Sequence, residues 1–135
     1  MAASPLIWME LTGLDREDAK RLSRIIGVYK EHRGAFAQSH TIPIGNPPDG
    51  GQFTGFQIRT DERSGYLILL REFCKKDTGT YTLDCLPDCE LTLTALCANC
   101  DAPDAQTLPV SPDGQIRVAI GKPFGYLFAK YECSK

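Results

Sequence analysis

The sequence has few of the residues on which most catalytic sites depend. Its 135 residues include two histidines and one tryptophan. It contains no glycine-rich phosphate loop, no His-Glu-x-x-His and no Gly-x-Ser-x-Gly. A lone histidine on a helix, such as His32, is usually a polar boundary residue, because a catalytic histidine needs a partner. We therefore expect no catalytic residue, no cofactor and no cofactor site in this chain.

The chain also lacks a long apolar run and a strong charge of either sign. No stretch is apolar enough to cross a bilayer, and residues 1–10 lack the basic start and apolar middle of a secretory signal. The net charge is −2 with scattered basic residues, which argues against a nucleic-acid or anionic-membrane surface. We predict no nucleic-acid partner and no membrane partner. The location stays open, with the cytoplasm favoured.

Six cysteines are more than average for this length but fewer than a disulfide scaffold needs. Four of them have a spacing that resembles a zinc site: Cys85, Cys89, Cys97 and Cys100. Leu and Thr alternate strictly over 91–94, which predicts a strand at 90–96. That strand would hold Cys89 about 26 Å from Cys97, too far to share one metal. We predict no zinc site, whereas one or two disulfides and free buried thiols both stay open.

An amphipathic helix of roughly 20 residues is predicted from about 15 to 36. Asp15 is an N-cap candidate, and Glu17 and Asp18 follow it where negative charge favours the helix dipole. Apolar side chains then recur at helical spacing, and they include Leu22, Ile25, Ile26, Tyr29 and Phe36.

From residue 42 onward the hydrophobic pattern becomes that of strands. Gly45 to Gly51 is a turn-rich loop, and the runs 53–59 and 66–70 predict an antiparallel hairpin at the centre of a sheet. Later strands are predicted at 80–84, 90–96, 115–120 and 124–132, with a loop at 98–106 and a hairpin turn at 112–114.

This pattern predicts a mainly β fold. We expect an antiparallel β-sandwich of six to eight strands preceded by one amphipathic N-terminal α-helix. The chain then divides into an N-terminal segment, 1–41, and an antiparallel β-domain, 42–135.

Several runs of residues resemble a known enzyme family when taken in order. They are Pro43-Ile-Gly-x-Pro-Pro-Asp-Gly, Phe53-Thr-Gly-Phe-Gln and Gly65-Tyr-Leu-Ile-Leu-Leu-Arg-Glu. They resemble the start of the C-terminal β-domain of bacterial α-galactosidase-like glycoside hydrolases. The earlier segments Leu6-Ile-Trp-Met-Glu and Ile26-x-x-Tyr29-Lys-x-His-Arg are similar to the end of the catalytic (β/α)8 barrel with its last helix.

The resemblance implies a non-catalytic β-domain that packs against a catalytic barrel, because the barrel's catalytic aspartates lie on strands that this sequence does not contain. It also implies that the helix has a second apolar neighbour in the parent enzyme. Without the barrel, we expect the helix face to mediate a two-fold homodimer. The expected contact residues are Trp8, Leu22, Ile25, Ile26, Tyr29 and Phe36.

A stand-alone carbohydrate-binding module is the alternative function. Its sugar platforms would be exposed aromatic residues, for which the candidates are Phe53, Tyr66, Tyr81 and Tyr126. An exposed, coplanar pair of rings in the structure would favour this alternative. An independent enzyme would instead need a carboxylate pair from Asp61, Glu62, Glu72 or Asp84, and we expect these carboxylates to be merely solvated.

Overall fold

The computed structural model describes residues 13–84 and 86–134. Within these ranges the chain forms one helix and eight strands, with the following bounds: α1 Arg16–Ala37, β1 His40–Gly45, β2 Phe53–Arg59, β3 Ser64–Arg71, β4 Thr78–Thr82, β5 Glu90–Ala98, β6 Ala105–Pro109, β7 Gln115–Ala119 and β8 Tyr126–Ser134. Six strands form an antiparallel sheet in the order β1-β2-β3-β8-β5-β6, and β4 pairs with β7 in a second sheet. The predicted mainly β sandwich with one N-terminal helix is confirmed.

The helix begins and ends close to the predicted bounds. The Asp15 side chain accepts the backbone N–H of Asp18 at 2.8 Å, as an N-cap should. At the other end, the N–H of Gln38 donates to the carbonyl of Ala35. No helix in the described part of the chain has the length and apolar character needed to span a membrane.

The main core lies between the two sheets. Leu67 and Leu69 of β3 and Leu93 of β5 point toward Tyr81 of β4 and Ile116 of β7, and all five are buried. Fully burying one such side chain contributes about 1.5–3 kcal/mol. The predicted β2–β3 hairpin is confirmed at the centre of this packing, with Leu67 pairing with Gln57.

The helix covers the opposite face of the large sheet. Phe36 packs against Ile58 and Tyr66, and its ring meets that of Tyr66 edge-on with centroids 4.9 Å apart. His32 shares a 3.1 Å hydrogen bond with the Tyr66 hydroxyl, so it is the polar boundary residue that the sequence predicts. The domain therefore has three layers, which are the helix, the six-stranded sheet and the β4–β7 pair.

Strands β1, β5 and β6 differ from the sequence prediction. β1 (His40–Gly45) was not predicted, and it begins before residue 42, where the β-domain was expected to start. Its Pro43 is tolerated because β1 is an edge strand, where a missing N–H leaves no ladder bond unmade. β6 begins at Ala105 and β5 extends to Ala98, so the connection between them is shorter than the predicted loop at 98–106.

The predicted hairpin at 112–114 is wrong, although its turn forms. Gly114 has φ +74° and donates its N–H to the carbonyl of Ser111 at 2.8 Å. The strands on either side do not pair with each other, because β6 pairs with β5 and β7 pairs with β4. The turn therefore carries the chain from the large sheet to the small one.

The cysteines adopt two states. Cys89 and Cys133 form a disulfide that joins the start of β5 to the end of β8. Cys74, Cys97 and Cys100 are free thiols, and Cys85 lies outside the described residues. The strand predicted at 90–96 is confirmed as β5. Among the residues with described positions, no three His, Cys, Asp or Glu side chains cluster as metal ligands would.

Candidate functional site

Most of the aromatic residues proposed as sugar platforms are buried. Phe53 and Tyr81 belong to the main core, where their rings pack edge-on, and Tyr66 lies under the helix. These three cannot present a ring face to a ligand, so their assignment as platforms is wrong. Tyr126 is half-buried, with its hydroxyl 3.3 Å from the sulfur of Cys97. At these three positions the alternation of aromatic residues marks the buried face of a strand, not a binding surface.

A different pair of rings is exposed. Phe73 and Phe124 are 70% and 69% exposed, more than any other large hydrophobic residue in the described part of the chain. Their ring centroids are 6.0 Å apart and their planes differ by 23°. Phe73 follows β3 and Phe124 precedes β8. We call this edge of the molecule, where β3 ends and β8 begins, the aromatic end.

A buried arginine joins the two loops that carry these rings. The guanidinium of Arg71 donates from Nη1 to the carbonyl of Ile120 and from Nη2 to the carbonyl of Cys74, both at 2.8 Å. Arg71 is almost fully buried, and it takes part in none of the ion pairs formed within 13–84 and 86–134. A buried charge is costly without partners, so the two carbonyls both solvate the guanidinium and are fixed by it.

The loop before β2 braces Phe73 from the other side. The carboxylate of Glu72 accepts three backbone N–H groups, from Asp49, Gly50 and Gln52, at 3.3, 2.9 and 3.0 Å. The N–H of Phe73 in turn donates to the carbonyl of Gly50 at 3.0 Å. Charge-assisted bonds of this kind are stronger than neutral ones. Phe73 is therefore exposed on a backbone that is firmly held.

Phe124 is held in a conformation that a phenylalanine rarely adopts. Its φ is +55°, a region that costs on the order of 1–3 kcal/mol for a residue other than glycine. Asn99 fixes this turn, because its Nδ2 donates to the carbonyl of Phe124 and its Oδ1 accepts the N–H of Tyr126. A Cβ at Gly125 would lie 2.6 Å from the Cγ2 of Ile120, so the next residue must be glycine.

Sequence reasoning missed this pair because it placed Phe124 inside the last strand. β8 begins two residues later, at Tyr126, and Phe124 lies in the preceding loop. Phe73 did carry a signal, since it is a large apolar residue in an otherwise polar segment, between Glu72 and Cys74-Lys-Lys-Asp. Its neighbour in space is 51 residues away, however, and only the fold brings the two rings together.

A cleft lies at the opposite edge of the sheet, which we call the disulfide end. Its volume is about 460 Å³, and it is lined by Arg59, Glu62, Arg63, Leu86, Pro87, Asp88, Cys89 and Cys133. One wall is fixed by the Cys89–Cys133 disulfide and another by an ion pair of 2.6 Å between Arg59 and Asp84. The lining combines two arginines with two carboxylates, so no single charge dominates it.

The comparisons with known proteins found no match. No family model, no curated protein and no solved structure matched this chain. The resemblance to α-galactosidase-like enzymes therefore stays a prediction. The function of the chain has to be inferred from the arrangement of its own residues.

The carboxylates considered for catalysis have structural partners in three cases out of four. Glu72 is held by backbone N–H groups, and Asp84 pairs with Arg59. Hydrogen bonds from the hydroxyl of Ser64 and from the N–H of Arg63 hold the pKa of Asp61 below its usual value. A general acid needs the opposite shift, toward a raised pKa. Glu62 is exposed at the rim of the cleft.

The residues expected at an interdomain or dimer contact lie in different environments. Phe36 is 5% exposed and belongs to the core between the helix and the sheet. Leu22, Ile26 and Tyr29 are half-buried, while Ile25 is 41% exposed. Trp8 lies outside the described residues. Among the described residues of this set, Ile25 is therefore the most exposed to solvent.

Proposed function

We propose that this chain is a non-catalytic β-domain that binds carbohydrate through the paired rings of Phe73 and Phe124. The observation that carries the proposal is that two aromatic rings with nearly parallel planes are both about 70% exposed on loops of one edge. Large apolar side chains that remain in water usually mark an interaction site. The alternative function expected from the sequence is thus favoured, with other residues as the platform.

The chemistry of the rings suits a saccharide. One face of a sugar ring presents C–H groups, and the negative face of an aromatic ring attracts their partial positive charge. A phenylalanine that stays in water does not contribute the stabilisation of about 1.5–3 kcal/mol that its full burial would give. The strained backbone at Phe124 adds a further cost, and strain of this kind is characteristic of functional sites.

The ligand class also agrees with the resemblance. The segment 43–72 is similar to the β-domain of glycoside hydrolases, and it ends at Arg71 and Glu72, the two side chains that hold the Phe73 loop. A β-domain that binds the substrate polymer would keep a catalytic barrel close to its substrate. This role needs no catalytic group on the domain itself.

The test is binding to a panel of neutral polysaccharides, for example galactomannan, xylan and β-glucan, by affinity electrophoresis and calorimetry. We expect at least one to bind. We also expect Phe73→Ala and Phe124→Asn each to weaken binding by about tenfold, because central aromatic contacts typically contribute 1–2 kcal/mol or more.

Phe56→Ala is the matched control, since Phe56 is also a partly exposed phenylalanine but lies in the middle of β2 rather than at the aromatic end. It should leave the affinity unchanged. Binding that persists in both Phe73→Ala and Phe124→Asn, or a chain that binds none of the panel, would contradict the proposal.

A second function, packing against a catalytic barrel, is favoured by the open face of α1. Ile25 is 41% exposed beside the half-buried Leu22 and Ile26. In the absence of a barrel we expect this face to form a homodimer, which sedimentation at increasing concentration would detect. Ile25→Glu should give a folded monomer, whereas Ser23→Glu, at an exposed position on the same helix, should not. A chain that stays monomeric at high concentration would remove the support for this function.

A further inference from the structure

Each loop of the aromatic end carries a free thiol beside a residue that positions a ring. Cys74 directly follows Phe73, and its carbonyl accepts a hydrogen bond from Arg71. Cys100 directly follows Asn99, whose amide holds the backbone of Phe124. Both thiols are half-buried. A change at either sulfur therefore acts on the backbone next to one ring of the pair.

The two thiols also lie on the same side of the large sheet. Both Cys74 and Cys100 pack against the core between the two sheets. The Cys100 thiol donates to the carbonyl of Tyr126 at the start of β8 at 3.4 Å. The N–H of Arg71, whose guanidinium holds the Cys74 carbonyl, donates to the carbonyl of the preceding residue, Gly125, at 2.9 Å. Both loops are therefore tied to the start of β8. Cys97 is different, because it is paired with Phe128 on the helix side of the sheet and contacts the Tyr126 hydroxyl.

The fold brings these loops to opposite sides of a single strand. β3 and β5 both pair with β8, so their ends are two strand spacings, or about 10 Å, apart. A disulfide requires Cα atoms within about 7 Å of each other. Cys74 lies three residues beyond the end of β3, and Cys100 lies two residues beyond the end of β5. A bridge therefore requires the two loops to approach each other over the start of β8, which shifts the backbone that Arg71 and Asn99 now hold.

We propose that Cys74 and Cys100 form a second, reversible disulfide that ties together the two loops holding the aromatic pair and thereby sets its affinity for ligand. The oxidant is a small disulfide such as glutathione disulfide. One thiolate attacks it and releases a first glutathione thiolate, and the second cysteine then displaces the other. The two protein thiols lose two electrons and two protons, and the oxidant becomes two thiols.

The effect on binding rests on the proposed function. Closing the bridge moves the carbonyl of Cys74, one of the two that Arg71 holds, and so moves Phe73 relative to Phe124. Ordering a contact side chain before binding, or misplacing it, changes affinity by about threefold to tenfold. The oxidised and reduced chains should differ by at least this lower factor.

The bridge itself is tested without any ligand. The full chain is equilibrated in glutathione buffers of increasing oxidised fraction, its remaining thiols are blocked, and it is digested without reduction. We expect a peptide linking Cys74 to Cys100, lighter by two hydrogen atoms than the reduced pair and lost again on reduction. Cys97→Ser, the matched control, should still form it. Thiols that stay reduced, bind glutathione singly or link elsewhere would overturn the proposal.

The coupling is tested on the same samples with the polysaccharide that binds best. A threefold or larger difference in affinity between the oxidised and reduced chain, absent in Cys100→Ser, supports the proposal. A bridge that forms without changing the affinity overturns it. If neither state binds any polysaccharide, the proposed function fails, and the effect on affinity is overturned with it, whereas the linked peptide is detected independently of binding.

Discussion

The two ends of the large sheet are built from different interactions. The disulfide end is held by the Cys89–Cys133 bond, by the ion pair of Arg59 with Asp84 and by the Asp61 turn. The aromatic end is held by hydrogen bonds from buried or backbone groups, and it exposes two rings, Phe73 and Phe124. The same strands thus have a covalently fixed end and an end that presents apolar surface.

This difference indicates which end serves stability and which serves binding. The disulfide end is crosslinked by a covalent bond and by an ion pair. It also has a positive φ, at Asp88, but aspartate tolerates this conformation far better than phenylalanine does. At the aromatic end the backbone adopts a strained φ at Phe124 and leaves apolar area in water, and both features lower stability. Natural domains accept such losses mainly where function needs them.

Breaking the disulfide should give the largest change in stability. The bond closes a loop with a sequence separation of 44, for which the chain-entropy model gives about 4 kcal/mol. Cys89→Ser with Cys133→Ser should lower the free energy of unfolding in urea by roughly this amount, while Cys97→Ser serves as a thiol control.

The comparison of the two ends also predicts that removing the disulfide lowers stability without disturbing the aromatic end. The doubly substituted chain, measured where it is still folded, should bind polysaccharide as well as the unmodified chain does. An affinity that falls together with the stability would show that the two ends are not independent.

Removing Arg71 should affect both stability and binding. Arg71→Met removes the donor from the buried carbonyl of Ile120 and from the carbonyl of the half-buried Cys74. An unmade buried hydrogen bond typically costs about 1–3 kcal/mol. We expect a loss of about 2–4 kcal/mol in urea unfolding, together with weaker polysaccharide binding.

Arg71→Lys is the matched control because it keeps the charge but lacks the planar fork that reaches two carbonyls. Its stability and affinity should lie between those of the unmodified chain and Arg71→Met. If Arg71→Met were as stable as the unmodified chain and bound as tightly, the guanidinium would not be what organises the aromatic end.

The sequence predicts those elements of the fold that depend on the pattern of apolar and polar residues close together in the chain. The helix with its Asp15 cap and the β2–β3 hairpin follow from periodicity over neighbouring residues. The pairing of β4 with β7 does not, because it joins segments more than 30 residues apart. The pairing of Phe73 with Phe124 could not be predicted for the same reason, since the two residues are distant in the sequence. The burial of Arg71 could not be predicted either, because a charged residue after an apolar run usually marks the exposed end of a strand.

A substitution at Phe124 separates stability from function. Asparagine tolerates positive φ far better than phenylalanine does, so Phe124→Asn should raise the free energy of unfolding by about 1 kcal/mol while it abolishes the ring contact. Phe73→Asn is the control, since Phe73 is not among the residues with positive φ. It should weaken binding without the gain in stability. If Phe124→Asn and Phe73→Asn changed the free energy of unfolding equally, the backbone at Phe124 would not be strained.

The smallest expected effect concerns pH and belongs to the disulfide end. The Asp61 carboxylate accepts the N–H groups of Arg63 and Ser64 at 2.8 and 2.7 Å and the Ser64 hydroxyl. These bonds lower the pKa of Asp61 in the folded chain. A lowered folded pKa contributes stability above the unfolded value of about 3.9, and this contribution is lost as the pH falls through the folded pKa.

Asp61→Asn should therefore reduce stability at pH 7 by less than about 1 kcal/mol, because the site is exposed, and make the loss of stability below about pH 4 less steep. Urea unfolding at pH 7, 4 and 3 measures both. Glu62→Gln is the matched control, since Glu62 makes no hydrogen bond or ion pair within the described residues. It should leave the pH dependence unchanged. If Asp61→Asn and the unmodified chain lost stability in parallel on acidification, the acid sensitivity would have to come from other carboxylates, and the disulfide end would not be the charge-dependent one.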